Sequence, residues 1–240
     1  MMNNQFSYDE DFNFSKKIDI EDFKKDEKGY YLLLNQTPFY PQGGGQPSDQ
    51  GWLITEKREI PIISVRIGEN EIRHYTDQYY DDVIGEKAIC KIDLEKRDFH
   101  SKLHTAGHFI SNIIEEIYPA FKALKGHHFP GECYVEFSCK NEFNLEIIDL
   151  NLITQKITQL ISDDKPVRTM HIKSSQLSEI CPDLPFKIPE SSSVRLVSIG
   201  EYPYQPCGGT HVKGTSCLKG LSITKMKIKN MTLKVYYTID

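Results

Sequence analysis

The segment from Asp93 to Pro119 constrains the architecture most. It reads DLEKRDFHSKLHTAGHFISNIIEEIYP, with Phe99, Leu103, Phe109, Ile110, Ile113, Ile114 and Ile117 at helical spacing. Asp93 is placed to cap this helix and Pro119 to end it. The chain before it has a different period. YYLLLNQ (30–36) reads as a strand, TPFYPQGGGQPSDQG (37–51) as a Gly/Pro loop, and WLITEKREIPIISVRIGENEIRHYT as two or more strands with turns. After the helix, strand-like CYVEFS, a helical stretch around NLEIIDLNLITQKITQLISDD, a strand KPVRTMHI and a short helix SSQLSEICP follow. SVRLVSIG is a further strand, and SITKMKIKNMTLKVYYTI closes as a hairpin around Lys229-Asn230. Strands and helices mix without βαβ alternation, so the expected class is α+β with an antiparallel sheet. The period change suggests a small β-rich, barrel-like N-terminal domain over 1–90. A second domain over 91–240 would pack the long helix on an antiparallel sheet.

Composition narrows the function classes. Hydrophobic residues at 39% and charged residues at 26% are ordinary for a soluble globular protein. No apolar run approaches the ~20 residues of a membrane helix, and the polar, acidic N-terminus is unlike a secretory signal. The expected compartment is the cytoplasm, where six scattered cysteines are not expected to pair. Cys90 and Cys133 sit in strand-like alternation and read as small buried hydrophobes. A net charge of −5 argues weakly against nucleic acid, but its distribution matters more. Between Tyr202 and Ile239 there is no acid, while Lys213, Lys219, Lys225, Lys227, Lys229 and Lys234 all fall there. Such a segment suits a phosphate backbone, and equally a solvated strand face.

The motif that demands chemistry is CGGTH, residues 207–211. Gly208 and Gly209 each cost roughly 1 kcal/mol in a helix interior. They do permit a tight turn with positive φ that aims Cys207 and His211 at one point. On the long helix, His104 and His108 are an i, i+4 pair that reaches one metal from one face. His100 is a rival one turn earlier, read here as a surface or satisfied core residue. Together His104, His108, Cys207 and His211 form a nitrogen and sulfur donor set suited to zinc, or a catalytic Cys/His group. HTAGH lacks the glutamate of H-E-x-x-H, which disfavours a zincin protease.

HTAGH followed about a hundred residues later by CGGTH resembles the editing domain of alanyl-tRNA synthetase and the free-standing AlaX editing proteins. TPFYPQGGGQPSDQG resembles the glycine-rich motif of the synthetase and of the medium-length AlaX type. KGHHFPGECYVEF and SITKMKIKNMTLKVYY resemble stretches of one AlaX branch. The resemblance implies a trans-editing aminoacyl-tRNA deacylase acting on mischarged alanine tRNA, serine first and glycine second. A site built for alanine rejects a small isostere with an added hydroxyl only weakly, so a second, hydrolytic sieve is needed. It implies zinc on His104, His108, Cys207 and His211, which would also be the catalytic set, and no membrane or DNA partner. The threonyl-tRNA synthetase editing domain is similar in both spacings, and direct His/Cys catalysis stays open as a variant. So do two other readings: a non-catalytic zinc-containing RNA-binding module, and a deacylase for another aminoacyl-tRNA.

Supporting residues follow from the same motifs. Thr105, His128 and Glu136 are candidate substrate contacts, Glu136 through the substrate α-ammonium or a ligand imidazole. His127 departs from the branch's KGYHF. Gly43, Gly44, Gly45 and Gln46 offer amides to the acceptor end or the amino-acid side chain. Lys225, Lys227 and Lys229 are candidate RNA contacts, and Arg97 a candidate phosphate contact.

Overall fold

A computed structural model describes residues 5–6, 17–139, 145–182, 184, 193–229 and 232–240. The chain divides into two compact units, Met1–Phe99 and His100–Asp240. The division falls inside the long helix and not at the period change near residue 90.

The first unit contains β1 (Gln5–Phe6), β2 (Lys17–Asp26), β3 (Gly29–Leu34), β4 (Gln36–Thr37), β5 (Gly51–Ile54), β6 (Glu59–Ile67), β7 (Ile72–Thr76) and β8 (Lys87–Ile92). Six of them close into a barrel in the order β2-β3-β7-β6-β5-β8, every neighbouring pair antiparallel. Alternation explains the closure. Ile18, Ile20, Leu32, Leu34, Leu53, Ile60, Ile62, Val65 and Cys90 point inward and fill it, each fully buried aliphatic contributing roughly 1.5–3 kcal/mol. Gly51 fits only without a side chain, since a Cβ there would lie 2.1 Å from the Lys91 carbonyl oxygen.

Helix α1 (Leu94–Ile117) starts where expected, the Asp93 carboxylate accepting from the Lys96 amide at 3.1 Å. The second unit continues with β9 (Phe121–His127), β10 (Tyr134–Cys139), α2 (Leu150–Ser162), β11 (Val167–Ile172), α3 (Leu177–Ile180), β12 (Val194–Ile199), β13 (Gln205–Pro206), β14 (Leu221–Lys229) and β15 (Thr232–Ile239). The order β14-β15-β10-β9 makes a four-stranded antiparallel sheet, and β11-β12-β13 a three-stranded one. Leu103, Ala106, Phe109, Ile110, Ile113 and Ile114 of α1 share one core with Val135, Phe137, Leu233, Val235 and the α2 residues Ile153 and Ile157. Phe99, expected on that apolar stripe, is exposed instead. The fold is α+β, and β14 and β15 form the expected hairpin, although Asn230 of its turn lies outside the described residues. All six cysteines are free thiols, with Cys90 and Cys133 buried as read.

Candidate metal centre

Two elements supply the centre. α1 presents His104 and His108 one turn apart, their rings stacked at 5.2 Å. The turn that leaves β13 presents Cys207 and His211. Pairing of Leu196 with Pro206 and Val197 with Gln205 fixes where that turn begins. Arg195 of β12 then ties it down: its carbonyl accepts from the Cys207 amide at 3.0 Å. Its Nη1 donates to the carbonyls of Cys207 at 3.0 Å and Gly209 at 2.8 Å. Neither Gly208 nor Gly209 is among the positive-φ glycines, so the turn differs from the sequence expectation. It is held by a side chain from outside.

The ligand atoms of His104, His108, Cys207 and His211 all lie within 4.8 Å of one another. Cys207 Sγ is 3.4 Å from His104 Nε2 and 3.3 Å from His211 Nε2. Tetrahedral bonds of ~2.0–2.3 Å place neighbouring donors about 3.3–3.8 Å apart, so the two sulfur–nitrogen distances suit an ion of that size, while the full set spreads over up to 4.8 Å. His100 is buried but stands outside this group.

The surrounding polar groups set the tautomers. Thr105 donates its one hydroxyl proton to the Ser101 carbonyl at 2.7 Å. His211 Nδ1–H therefore donates to Thr105 Oγ1 at 3.1 Å, leaving Nε2 as a lone pair on the cysteine side. Gln205 Nε2 donates to Asn112 Oδ1 at 2.6 Å, so its Oε1 accepts from His108 Nδ1–H at 2.8 Å. The same logic applies to His128. Tyr237 donates to the Leu103 carbonyl at 2.8 Å, so His128 Nδ1–H donates to the Tyr237 oxygen at 2.6 Å.

Charge follows proximity. Burial alone pushes the Cys207 thiol up, but His104 and His108 outweigh it and hold the group well below an ordinary thiol. Burial drives His104 down to about 3 and lowers His211 and His128 as well. At His108 burial is outweighed by Cys207, and the ring is raised. Cation binding needs a thiolate and neutral imidazoles; the directions at Cys207, His104 and His211 favour that state, and the raised His108 ring opposes it until a cation displaces its proton.

The other sequence candidates separate. His128 is buried with its ring 4.5 Å from that of His104. A Cβ on Gly107 would come within 2.2 Å of His128 Cε1, and one on Gly126 within 2.3 Å of its Nε2, so two glycines form its slot. Thr105, expected at the substrate, is completely buried, its hydroxyl also accepting from the Val212 amide at 3.2 Å. Glu136 is a correction. Val135 and Phe137 take the core face, which turns Glu136 to the other side of the sheet from α1, where Lys234 binds it at 3.1 Å. Arg97 is another: it forms a buried ion pair with Asp49 and donates to the Pro38 carbonyl at 2.5 Å, so it is no open phosphate contact.

The glycine-rich loop is a closed turn. Gly43 and Gln46 exchange backbone hydrogen bonds at 3.2 and 2.8 Å, and the Gln46 side chain is buried rather than on offer. Gly44 and Gly45 carry φ of 53° and 77°. Lys225, Lys227 and Lys229 are exposed on β14. Sequence reasoning missed Arg195, Gln205, Asn112 and Tyr237. The one available signal was an arginine inside the apolar run VRLVSI.

The family described as tRNA synthetases class II (A) matches residues 5–96, and the threonyl and alanyl tRNA synthetase second additional domain matches residues 194–234. The alanyl-tRNA editing protein AlaX-M of Methanosarcina barkeri is 31% identical over 227 residues, spanning 87% of this chain and 88% of the relative. That of Saccharolobus solfataricus is 34% identical over 219 residues, spanning 88% and 90%. An alanine–tRNA ligase of Metallosphaera sedula is 25% identical over 220 residues, but the match covers only 23% of the ligase. At this identity over nearly the full length of both chains, the protein belongs to the AlaX-M family of alanyl-tRNA editing proteins.

Proposed function

We propose that this protein is a trans-editing hydrolase of the cytoplasm that deacylates mischarged alanine tRNA, Ser-tRNA(Ala) first and Gly-tRNA(Ala) second. The carrying observation is the convergence of His104, His108, Cys207 and His211 in a chain whose relatives are named alanyl-tRNA editing proteins. The second unit is the editing domain in this reading, and the β-rich first unit its N-terminal companion.

The four side chains would hold zinc, which when bound supplies polarisation of the ester carbonyl or acidification of a water. The chain's own residues do the rest. Gln205 and Thr105 hold the Nδ1 protons of His108 and His211, keeping both Nε2 atoms available. Arg195 fixes the turn so that Cys207 and His211 stay aimed at α1. His128 borders the substrate, oriented by Tyr237. Hydrolysis breaks the bond between the acyl carbon and the ribose oxygen; water gives its hydroxyl to the carbon and its proton to the oxygen. Lys225, Lys227 and Lys229 contact tRNA phosphates.

Initial deacylation rates on serine-, glycine- and alanine-charged alanine tRNA, with and without chelator, test the reading. Cleavage of the serine and glycine esters, sparing of the alanine ester and loss of activity with chelator are expected. Intact esters throughout would leave a zinc-containing RNA-binding module in its place. Cleavage that survives metal removal would assign the chemistry to Cys207 and the histidines themselves.

A further inference from the structure

We propose that the outer face of the four-stranded sheet is a platform for unpaired RNA, with bases stacked on an aromatic row and phosphates set along a lysine row. This rests on the tRNA-editing reading and extends it from charge to base contacts.

Strand register creates the rows. Lys225 lies opposite Tyr236, Tyr236 opposite Tyr134, and Tyr134 opposite His127. In the next row Lys227 faces Lys234, Lys234 faces Glu136, and Glu136 faces Lys125. Val135, Phe137, Leu233 and Val235 occupy the alternate positions in the core, so both rows point away from it.

The aromatic row is contiguous. Tyr134 and Tyr236 have ring centroids 5.6 Å apart, and His127 stacks on Tyr134 at 5.3 Å. Phe129 also stacks on His127, at 4.5 Å and nearly parallel. Cations cover the tyrosines: Lys234 Nζ is 4.4 Å from the Tyr134 centroid and Lys227 Nζ 5.9 Å from that of Tyr236. The four strands contribute one acid, Glu136, already bound by Lys234, and Glu132 just before β10 lies 3.5 Å from His127 at the end of the row. The Lys227 charge lowers the pKa of Lys225, a mark of two ammonium groups held close enough to favour an anion between them.

Flat rings flanked by ammonium groups match a nucleobase next to its phosphate. Base–aromatic stacking tolerates any sequence, and lysines track the backbone. A duplex offers phosphates but no free base faces, so the aromatic row favours single-stranded RNA. The row also has a direction. His127 ends it, and His128, the next residue, turns inward to lie against His104.

The test is fluorescence anisotropy with a labelled oligouridylate and with a duplex RNA of equal length. The proteins are the full chain, Tyr134→Ala/Tyr236→Ala, and Tyr134→Phe/Tyr236→Phe. The oligouridylate is expected to bind more tightly than the duplex. The alanine pair should lose about 10-fold or more in affinity, and the phenylalanine pair, which keeps the rings, should bind like the parent. Lys225→Glu/Lys227→Glu serves if the alanine pair fails to fold, with the same loss expected. Unchanged oligouridylate affinity in a folded variant, duplex preference, or equal competition by polyglutamate would each overturn the platform. Deacylation of charged tRNA by the same proteins separates the two readings. A parent that cleaves while the variants bind RNA normally refutes the platform alone. A parent that binds oligouridylate through its tyrosines but cleaves no ester refutes the editing reading alone.

Discussion

The two glycine-rich turns, QGGGQ in the first unit and CGGTH in the second, look alike in sequence and solve different problems. The first closes on itself. Gly43 and Gln46 satisfy each other's backbone groups, Gly44 and Gly45 take left-handed φ, and Asp49 accepts from the Tyr40 amide at 2.6 Å to fix its base. The second is held from outside by Arg195, and its polar side chains point to α1. Left-handed glycine φ is used only in the first turn, and what flanks the second decides its use. A turn that satisfies its own backbone is structural. One fastened by a neighbour can present side chains.

Substitutions should therefore split cleanly between the turns. The largest effect is expected at Cys207→Ala, which removes the sulfur donor. Loss of a partner behind a ligand costs about 10–100-fold, and loss of a ligand itself should exceed that, on the order of 10³-fold in deacylation rate. Metal content by elemental analysis should fall in parallel, with the urea midpoint of the first unit unchanged. In the first unit the counterpart is Arg97→Ala. It leaves the Asp49 carboxylate buried without its guanidinium, at a cost of about 3–5 kcal/mol in urea unfolding. Retained stability in that variant would mean the ion pair does not anchor the first turn.

Much of this was legible because periodicity and spacing are local. The period-two alternation gave most of the barrel strands but not β2, the stripe from Leu103 to Ile117 gave α1, and the i, i+4 histidines with CGGTH gave the donor set. What escaped depends on long-range partners. Arg97 carries the same charge whether it meets a phosphate or Asp49, and only closure of the first unit brings Asp49 to it. Glu136 reads as a free carboxylate until the register with β15 places Lys234 opposite. Gln205 belongs to no motif, and Tyr237 closes the stretch SITKMKIKNMTLKVYY with nothing local to mark its role. Their value is one hydrogen bond each to a histidine far along the chain.

A smaller effect sharpens the second turn. Thr105→Val keeps the shape of the buried side chain but removes the acceptor for His211 Nδ1–H and for the Val212 amide. His211 then loses the constraint that keeps its Nε2 toward Cys207. Deacylation should fall about 10–100-fold with weaker metal retention, while Thr105→Ser recovers most of both. If serine fails as badly as valine, packing of the methyl group matters more than the hydroxyl, and the tautomer argument is wrong.

The smallest effect belongs to the first turn and decides whether the contrast holds. Gly45 has φ of 77° and Gly44 of 53°, where a Cβ meets the following carbonyl oxygen. Gly45→Ala should cost about 1–2 kcal/mol in urea unfolding, and Gly45→Asn less, because a short polar side chain tolerates that backbone. Deacylation measured well below the unfolding midpoint should change less than about twofold in either variant, since a self-closed turn presents nothing to lose. A large drop in rate with stability preserved would show that the turn does reach the substrate. The two glycine motifs would then share one function, and their difference in closure would be a difference in architecture alone.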